Sequence, residues 1–286
     1  MKYWMMAIRP KTLFASIGPV VLGLSIVYQE FHQIDLPLAF LTLLTALLLQ
    51  ASSNLINDYY DGLDGKDSSE RLGPDRVTSL GLIAPKKVKL AFIIGLLLSF
   101  IFGLILMYQG GMPIIIIGAA SLFFAWAYTG GPFPLSRIGL GEVTALIFFG
   151  PIPVWGTYYL QTLSHSEPAL LIGLVPGFIS AALMAVNNLR DRNEDSKNNK
   201  RTIATFLSEN GARYFVLNLI LLSTFFLPLV TAQMKNTIVI IPTIIFFKTW
   251  KRILLDPISK EFNELLANTG KYLFIQCLFH AVAINI

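Results

Sequence analysis

Apolar runs long enough to cross a lipid bilayer recur along almost the whole chain, and they limit its fold more than any other feature. A helix needs about 20 consecutive apolar residues to traverse the hydrocarbon core. Runs near this length lie at 12–28, 36–56, 88–108, 113–129, 138–160, 168–188, 212–232, 236–250 and 270–286. Run length is a better guide here than helical periodicity, because lipid and protein interior are both apolar. Only 14% of the 286 residues are charged, against about 25% in a soluble domain. The expected fold class is an all-α polytopic membrane protein, one domain over 1–286. About nine transmembrane helices would surround a central cavity with a polar cytoplasmic cap. The first run is not expected to be a cleaved signal peptide: Gly18-Pro19 interrupts it, it lacks a small-x-small cleavage site, and it leads directly into a second run.

Charge sets the orientation. With a cytoplasmic N-terminus, the outer connections fall near 29–35, 109–112, 161–167 and 233–236, and of the 22 Lys and Arg they hold only Lys235. That asymmetry is the positive-inside pattern, so the net charge of +5 reflects topology and an anionic inner leaflet, not nucleic-acid binding. The expected location is an integral protein of a bacterial inner membrane, with the site on the cytoplasmic side. No obligatory protein partner is implied. A single cysteine, Cys277, excludes an internal disulfide and leaves a thiolate zinc site without ligands.

Two connections, roughly 57–87 and 189–211, are long and heavily charged, and both follow a run that heads inward. The first begins with "NLINDYYDGLDGKD", Asn54 to Asp67, and the second with "NNLRDRNEDSKNNKRT", Asn187 to Thr202. Asn54, Asp58 and Asp61 stand at i, i+4 and i+7; Asn188, Asp191 and Asp195 stand at i, i+3 and i+7. Each set lies on one helix face over two turns. Carboxylates at a membrane surface are most often solvated, and Asp64, Asp67 and Glu194 fit that description. Two matched sets on two inward helices are harder to dismiss. Oxygen donors without a placed His or Cys suit Mg²⁺, which takes one or two carboxylates along with waters and phosphate oxygens. Lys66, Arg71 and Arg76 follow the first set, and Lys200 and Arg201 follow the second. These cations would meet phosphate oxygens the metal leaves uncovered. A cation-coupled transporter is the rival class, but transporters place ionisable groups near the bilayer midplane, and these stand at helix ends.

At these residues the chain resembles the UbiA superfamily of intramembrane aromatic prenyltransferases, in particular its naphthoate branch. The resemblance rests on Arg9-Pro10-Lys11-Thr12, Asn57-Asp58-x-x-Asp61 with Gly65-x-Asp67, and Gly73-Pro74-x-Arg76 with Gly81. It continues in "AYTGGPFPL" (127–135), Gly139-x-Gly141-Glu142, and "NNLRD" (187–191) with Asp195 and Lys200-Arg201-Thr202. It departs at Asn199, where the family usually has Gly, and at "FLSENG" (206–211); Asn tolerates left-handed backbone better than most residues.

The resemblance implies transfer of a polyprenyl group from polyprenyl diphosphate to 1,4-dihydroxy-2-naphthoate, with loss of diphosphate and CO₂ and with Mg²⁺ as cofactor. Another acceptor (4-hydroxybenzoate, homogentisate, haem or a lipid) stays open at this point. Asp58, Asp61, Asp191 and Asp195 would be catalytic, and with Asn54, Asn187 and Asn188 they would be metal ligands or hold such ligands in position. Lys11, Arg71, Arg76, Lys200 and Arg201 would bind diphosphate. Tyr128, in the family-like "YTGGP", would offer its ring face to an allylic cation. Phe123, Phe124, Trp126, Phe148, Phe149 and Trp155 could do the same, though aromatics in membrane helices are usually packing residues. Arg137 or Lys11 could face the acceptor carboxylate, and Glu142 could line the site with Arg137 as partner. His32, His165 and His280 are expected in surface or packing roles.

Overall fold

The computed structural model describes residues 1–63, 72–231 and 234–286. The chain starts with α1 (Lys2–Ile8), α2 (Phe14–Phe31), α3 (Leu36–Leu63) and α4 (Pro85–Ala127). Then come α5 (Gly141–Phe148), α6 (Pro151–Thr162), α7 (Glu167–Lys197), α8 (Ile203–Phe206) and α9 (Glu209–Thr231). It closes with α10 (Ile241–Ile245), α11 (Phe247–Leu255) and α12 (Phe262–Asn285). Among the described residues six segments are long and apolar enough to span a membrane: Phe14–Phe31, Leu36–Leu63, Pro85–Ala127, Gly141–Thr162, Glu167–Lys197 and Glu209–Pro228. The protein is an integral membrane protein built from helices.

Two of these segments are not straight. At 43 residues a straight α4 would be about 64 Å long, twice the hydrocarbon thickness of about 30 Å. Gly111 breaks it with φ 62° and ψ −150°, a conformation open to glycine because it has no Cβ. The helix folds back there, for a Cβ on Gly118 would fall 2.4 Å from Met107 Cε, eleven residues away. The expected runs 88–108 and 113–129 are therefore the two legs of α4. The expected run 138–160 breaks between α5 and α6 at Gly150. A Cβ on Gly150 would lie 2.4 Å from Leu146 O, 2.6 Å from Gly177 Cα and 2.7 Å from Gly173 O. Backbone meets backbone at this crossing with α7, the kind of contact small residues permit in membranes.

The expectation of one helix over 236–250 needs correction. A 3₁₀ segment (Met234–Ile240), α10 and α11 occupy that stretch, and Pro242 opens α10. Irregular backbone in an apolar setting must find internal partners, and α12 supplies them. Gln276 Nε2 donates to Val239 O at 2.9 Å. The hydroxyls of Thr243, Thr224 and Tyr272 lie 2.7–3.1 Å from one another, and Trp250 Nε1 donates to Thr243 O at 3.2 Å. α12 begins at Phe262, well before the expected 270.

α7 is the centre of the fold, lying against α5, α6, α9 and α12. The main core gathers Leu22, Val154, Ile179, Val186, Val216 and Leu273, all fully buried. A second cluster joins α1, α3 and the start of α4 through Ala7, Leu55, Ile56, Val77, Val88 and Phe92. A third, around Leu106, Ile114 and Leu160, packs beside the Gly111 bend.

Candidate active site

The acid-bearing end of α3 is spent partly on its own surroundings. Asn54 Nδ2 donates to Ile8 O at 2.7 Å and to Thr12 Oγ1 at 2.9 Å, fixing the Arg9–Thr12 turn and with it the exposed Lys11. Asp58 is 1% exposed. Its oxygens accept from Val77 N at 3.1 Å, Thr78 N at 3.1 Å and Thr78 Oγ1 at 2.8 Å. The residue therefore pins the 72–84 segment to α3. Asp61, one turn on, points elsewhere: Arg76 Nη2 lies 2.8 Å from its Oδ2. Arg71, and with it Asp64, Gly65, Lys66, Asp67 and Glu70, lies outside the described residues.

The second set is organised by a residue the sequence did not single out. Arg190, 2% exposed, grips Asp191 with two bonds, Nε to Oδ1 at 2.7 Å and Nη2 to Oδ2 at 2.6 Å. It also donates to Asn187 Oδ1 at 2.9 Å and to Asn263 Oδ1 at 2.7 Å. Asn263 in turn donates to Leu72 O at 2.7 Å, so α7, α12 and the segment after the first acid set share one polar network. Its place in the "NNLRD" stretch, directly before Asp191, was the available signal for Arg190; Asn263 stands in an ordinary surface-like stretch and offered none. Asp195 lies one turn further along α7. Lys200 Nζ is 3.2 Å from both of its oxygens but hydrogen-bonds only Oδ1, leaving Oδ2 buried and unbonded. Asn188 Nδ2 donates to Glu142 Oε1 at 2.9 Å, and Glu142 Oε2 is also buried without a partner. Glu142 thus takes an amide from α7. Asn199 adopts φ 52°, the left-handed turn that its side chain tolerates.

Tyr128 joins the two sets. Burial most of all raises the pKa of its phenol, and the charges of Glu142 on α5, Asp61 on α3 and Asp195 on α7 raise it further. The hydroxyl contacts Met184 Sδ at 3.0 Å. A Cβ on Gly141 would be 3.2 Å from Tyr128 Oη and 4.0 Å from Asn188 Nδ2, so a side chain there would crowd the Tyr128 hydroxyl. Next to Tyr128, Thr129 donates its hydroxyl to Asn57 Oδ1, and Trp126 Nε1 donates to Tyr60 Oη at 3.0 Å. The connection between the two sets continues where Arg201 N donates to Arg137 O at 3.0 Å; the Arg201 side chain is exposed.

Below Tyr128 opens an apolar chamber of about 210 Å³ between α2, α3, α4, α5 and α6. Gln50, Phe124 and Phe148 stand near its polar end, and Leu106, Ile114 and Leu160 at the other. Of the aromatics expected there, Phe124, Phe148 and Phe149 line it. The rings of Phe124 and Phe148 pack 4.8 Å apart. Phe123 is exposed, Trp126 bonds Tyr60, and Trp155 stacks on Tyr159. The histidines have the expected packing roles: His280 is buried on Gln276 O, His165 lies against Trp155, and His32 against Tyr28.

Chemically, the site offers anionic oxygens from two helices, cations beside each of them, and a greasy chamber underneath. Asp195 Oδ2 and Glu142 Oε2 are both buried carboxylate oxygens without a hydrogen bond, and each is the kind of donor a hard divalent cation takes. Among the described residues no three Asp, Glu, His or Cys side chains close on one point. A metal here would therefore draw on amides and substrate oxygens as well.

Residues 16–262 match the UbiA prenyltransferase family. The chain is 35% identical over 218 residues to the 1,4-dihydroxy-2-naphthoate octaprenyltransferase of Escherichia coli, covering 74% of this chain and 70% of that one. It is 35% identical over 210 residues to the enzyme of the same name from Mycobacterium tuberculosis, covering 73% and 71%. In fold it resembles a UbiA homolog from Archaeoglobus fulgidus bound to DMAPP and Mg²⁺, with TM-score 0.69, 15% identity and 99% of both chains covered.

Proposed function

Because the chain belongs to the UbiA prenyltransferase family, we propose that it moves a polyprenyl group from polyprenyl diphosphate onto 1,4-dihydroxy-2-naphthoate, a step of menaquinone synthesis. The observation that carries this reading is the meeting of two acid-tipped helix ends at Tyr128 directly over an apolar chamber. A diphosphate head would sit at the acids, and its tail would lie in the chamber. In the reaction the allylic C–O bond breaks, with its electron pair leaving on diphosphate. The naphthoate ring carbon bearing the carboxylate attacks the allylic carbon. Loss of CO₂ then returns the electron pair of the C–C bond to the ring, leaving a prenylated naphthoquinol. No proton needs to move.

Asp61, Asp191, Asp195, Asn187 and Asn188 would hold Mg²⁺, with Glu142 Oε2 close by. When bound, such ions stabilise the charge that grows on the leaving diphosphate. Asn54 and Asp58 contribute by position: they fix the Arg9–Thr12 turn and the 72–84 segment on which Lys11 and Arg76 stand. Arg76 and Lys200, already at the carboxylates, supply cations that diphosphate oxygens can recruit, with Arg201 and Lys11 at the rim. Arg71 would add to this set. The Tyr128 ring faces the nascent cation, and the dry chamber keeps water from capturing it. The excess of Lys and Arg on the connections beside the acids supports a cap at the cytoplasmic face of a bacterial inner membrane, where the acidic acceptor would enter from water and the product depart into lipid.

The test is turnover by purified protein in lipid nanodiscs. Given Mg²⁺ and an octaprenyl diphosphate, it should prenylate 1,4-dihydroxy-2-naphthoate and release the ring carboxylate as CO₂, and EDTA should stop it. Full turnover in EDTA would remove the metal from the reading, and transfer to 4-hydroxybenzoate alone would replace the acceptor.

A further inference from the structure

The walls of the chamber carry glycines where a tail-binding surface would ordinarily carry larger side chains. Gly103 and Gly118 come from the two legs of α4 and Gly156 from α6, and all three line it. A Cβ on Gly156 would meet only Ile117 Cδ1, at 3.7 Å, and one on Gly103 only Met107 Cε, at 4.0 Å. Both glycines thus leave open space that any side chain would fill. Gly118 differs: the Met107 side chain already lies in its notch. Beyond these residues Leu106, Ile114 and Leu160, each no more than 6% exposed, pack into the cluster beside the Gly111 bend and close that end. From Tyr128 to Ile114 the second leg of α4 runs about 21 Å at 1.5 Å per residue. Methionine is unbranched and adapts its shape to what it touches, so Met107 is a yielding part of a wall otherwise closed by branched residues.

We infer that Gly103, Gly156 and Met107 set the length of prenyl tail the chamber accepts, the glycines by leaving its walls open and Met107 as its adjustable floor. The inference rests on the prenyltransferase reading and adds specificity for tail length to it. A tail that fits gains burial with each isoprene unit until it reaches the floor, and a narrowed chamber reaches that limit sooner. One methylene too many in an apolar pocket changes discrimination by about 10- to 200-fold.

The experiment uses the full-length protein, Gly156→Leu, Gly103→Leu and Met107→Ala, with a donor series from dimethylallyl to octaprenyl diphosphate. The first readout is the ratio of kcat/KM for long donors to that for short ones. It should fall at least about tenfold in the two leucine variants and rise in Met107→Ala. The second readout needs no turnover. Thermal stabilisation by each prenyl diphosphate should increase with tail length and then level off, and the levelling point should move to shorter tails in the leucine variants. Unchanged ratios and an unmoved levelling point would overturn the inference, because the tail would then leave sideways into lipid. Uniform loss across all donors in folded protein would overturn it too. Should a leucine variant fail to fold, Met107→Ala decides alone. Failure of the wild type to transfer any prenyl group would count against the proposed function, whereas the binding series would still read the chamber.

Discussion

Asp58 and Asp61 stand three residues apart in one motif, yet removing them should have very different consequences for folding. Asp58→Ala strands two backbone N–H groups, those of Val77 and Thr78, where Asp58 is 1% exposed, while the Thr78 hydroxyl keeps its 2.6 Å bond to the residue-58 carbonyl. Hydrogen bonds to a charged group contribute about 1.5 kcal/mol or more each. Two of them put the loss at about 3 kcal/mol. Asp61→Ala breaks one ion pair with Arg76, and the Asp61 side chain is 27% exposed. Pairs of that kind contribute about 0–1 kcal/mol. At about 2–4 °C per kcal/mol for a chain of this size, Asp58→Ala should melt about 6–12 °C below wild type and Asp61→Ala within about 4 °C of it. Both should lose transfer activity by at least about 100-fold, Asp61→Ala through lost metal and phosphate binding and Asp58→Ala through a displaced 72–84 segment. The assay is thermal unfolding in detergent, monitored at an internal fluorophore, beside turnover in nanodiscs. Equal melting temperatures for Asp58→Ala and wild type would refute the assignment of Asp58 to the segment behind it.

Arg190→Ala should cost about 3–5 kcal/mol, because a largely buried carboxylate and two amides lose their shared partner; Arg190→Lys should restore little, since an ammonium cannot reproduce the bidentate grip, and melting curves of the two variants check both. Gly150→Ala should destabilise by about 1–3 kcal/mol, as the added methyl meets three backbone atoms that cannot swing aside, whereas Gly81→Ala, with nothing within 4 Å of its Cβ position, should show only the smaller cost of left-handed backbone at φ 67°. Comparing the two melting temperatures separates crowding from backbone strain.

The amino-acid sequence by itself determined that this chain is a bundle of membrane helices with two acidic ends. Both properties are local: an apolar run either is or is not long enough to cross, and Asn and Asp at i, i+3, i+4 and i+7 share a helix face whatever surrounds them. The lone histidines and the left-handed turn at Asn199 were legible for the same reason. What each polar group does was decided only by tertiary structure. Asn54 reaches back to Ile8 and Thr12, Asp58 forward to Val77 and Thr78, and Arg190 across to Asn263, partners between 19 and 73 residues away. No periodicity encodes a hydrogen bond between segments that distant. The same holds for the broken helical stretch at 234–255, whose irregular backbone has Gln276, Thr224 and Tyr272 beside it. It holds as well for the chamber: on helices apolar all round, hydropathy does not distinguish a glycine facing lipid from one facing a cavity, and packing alone makes that choice.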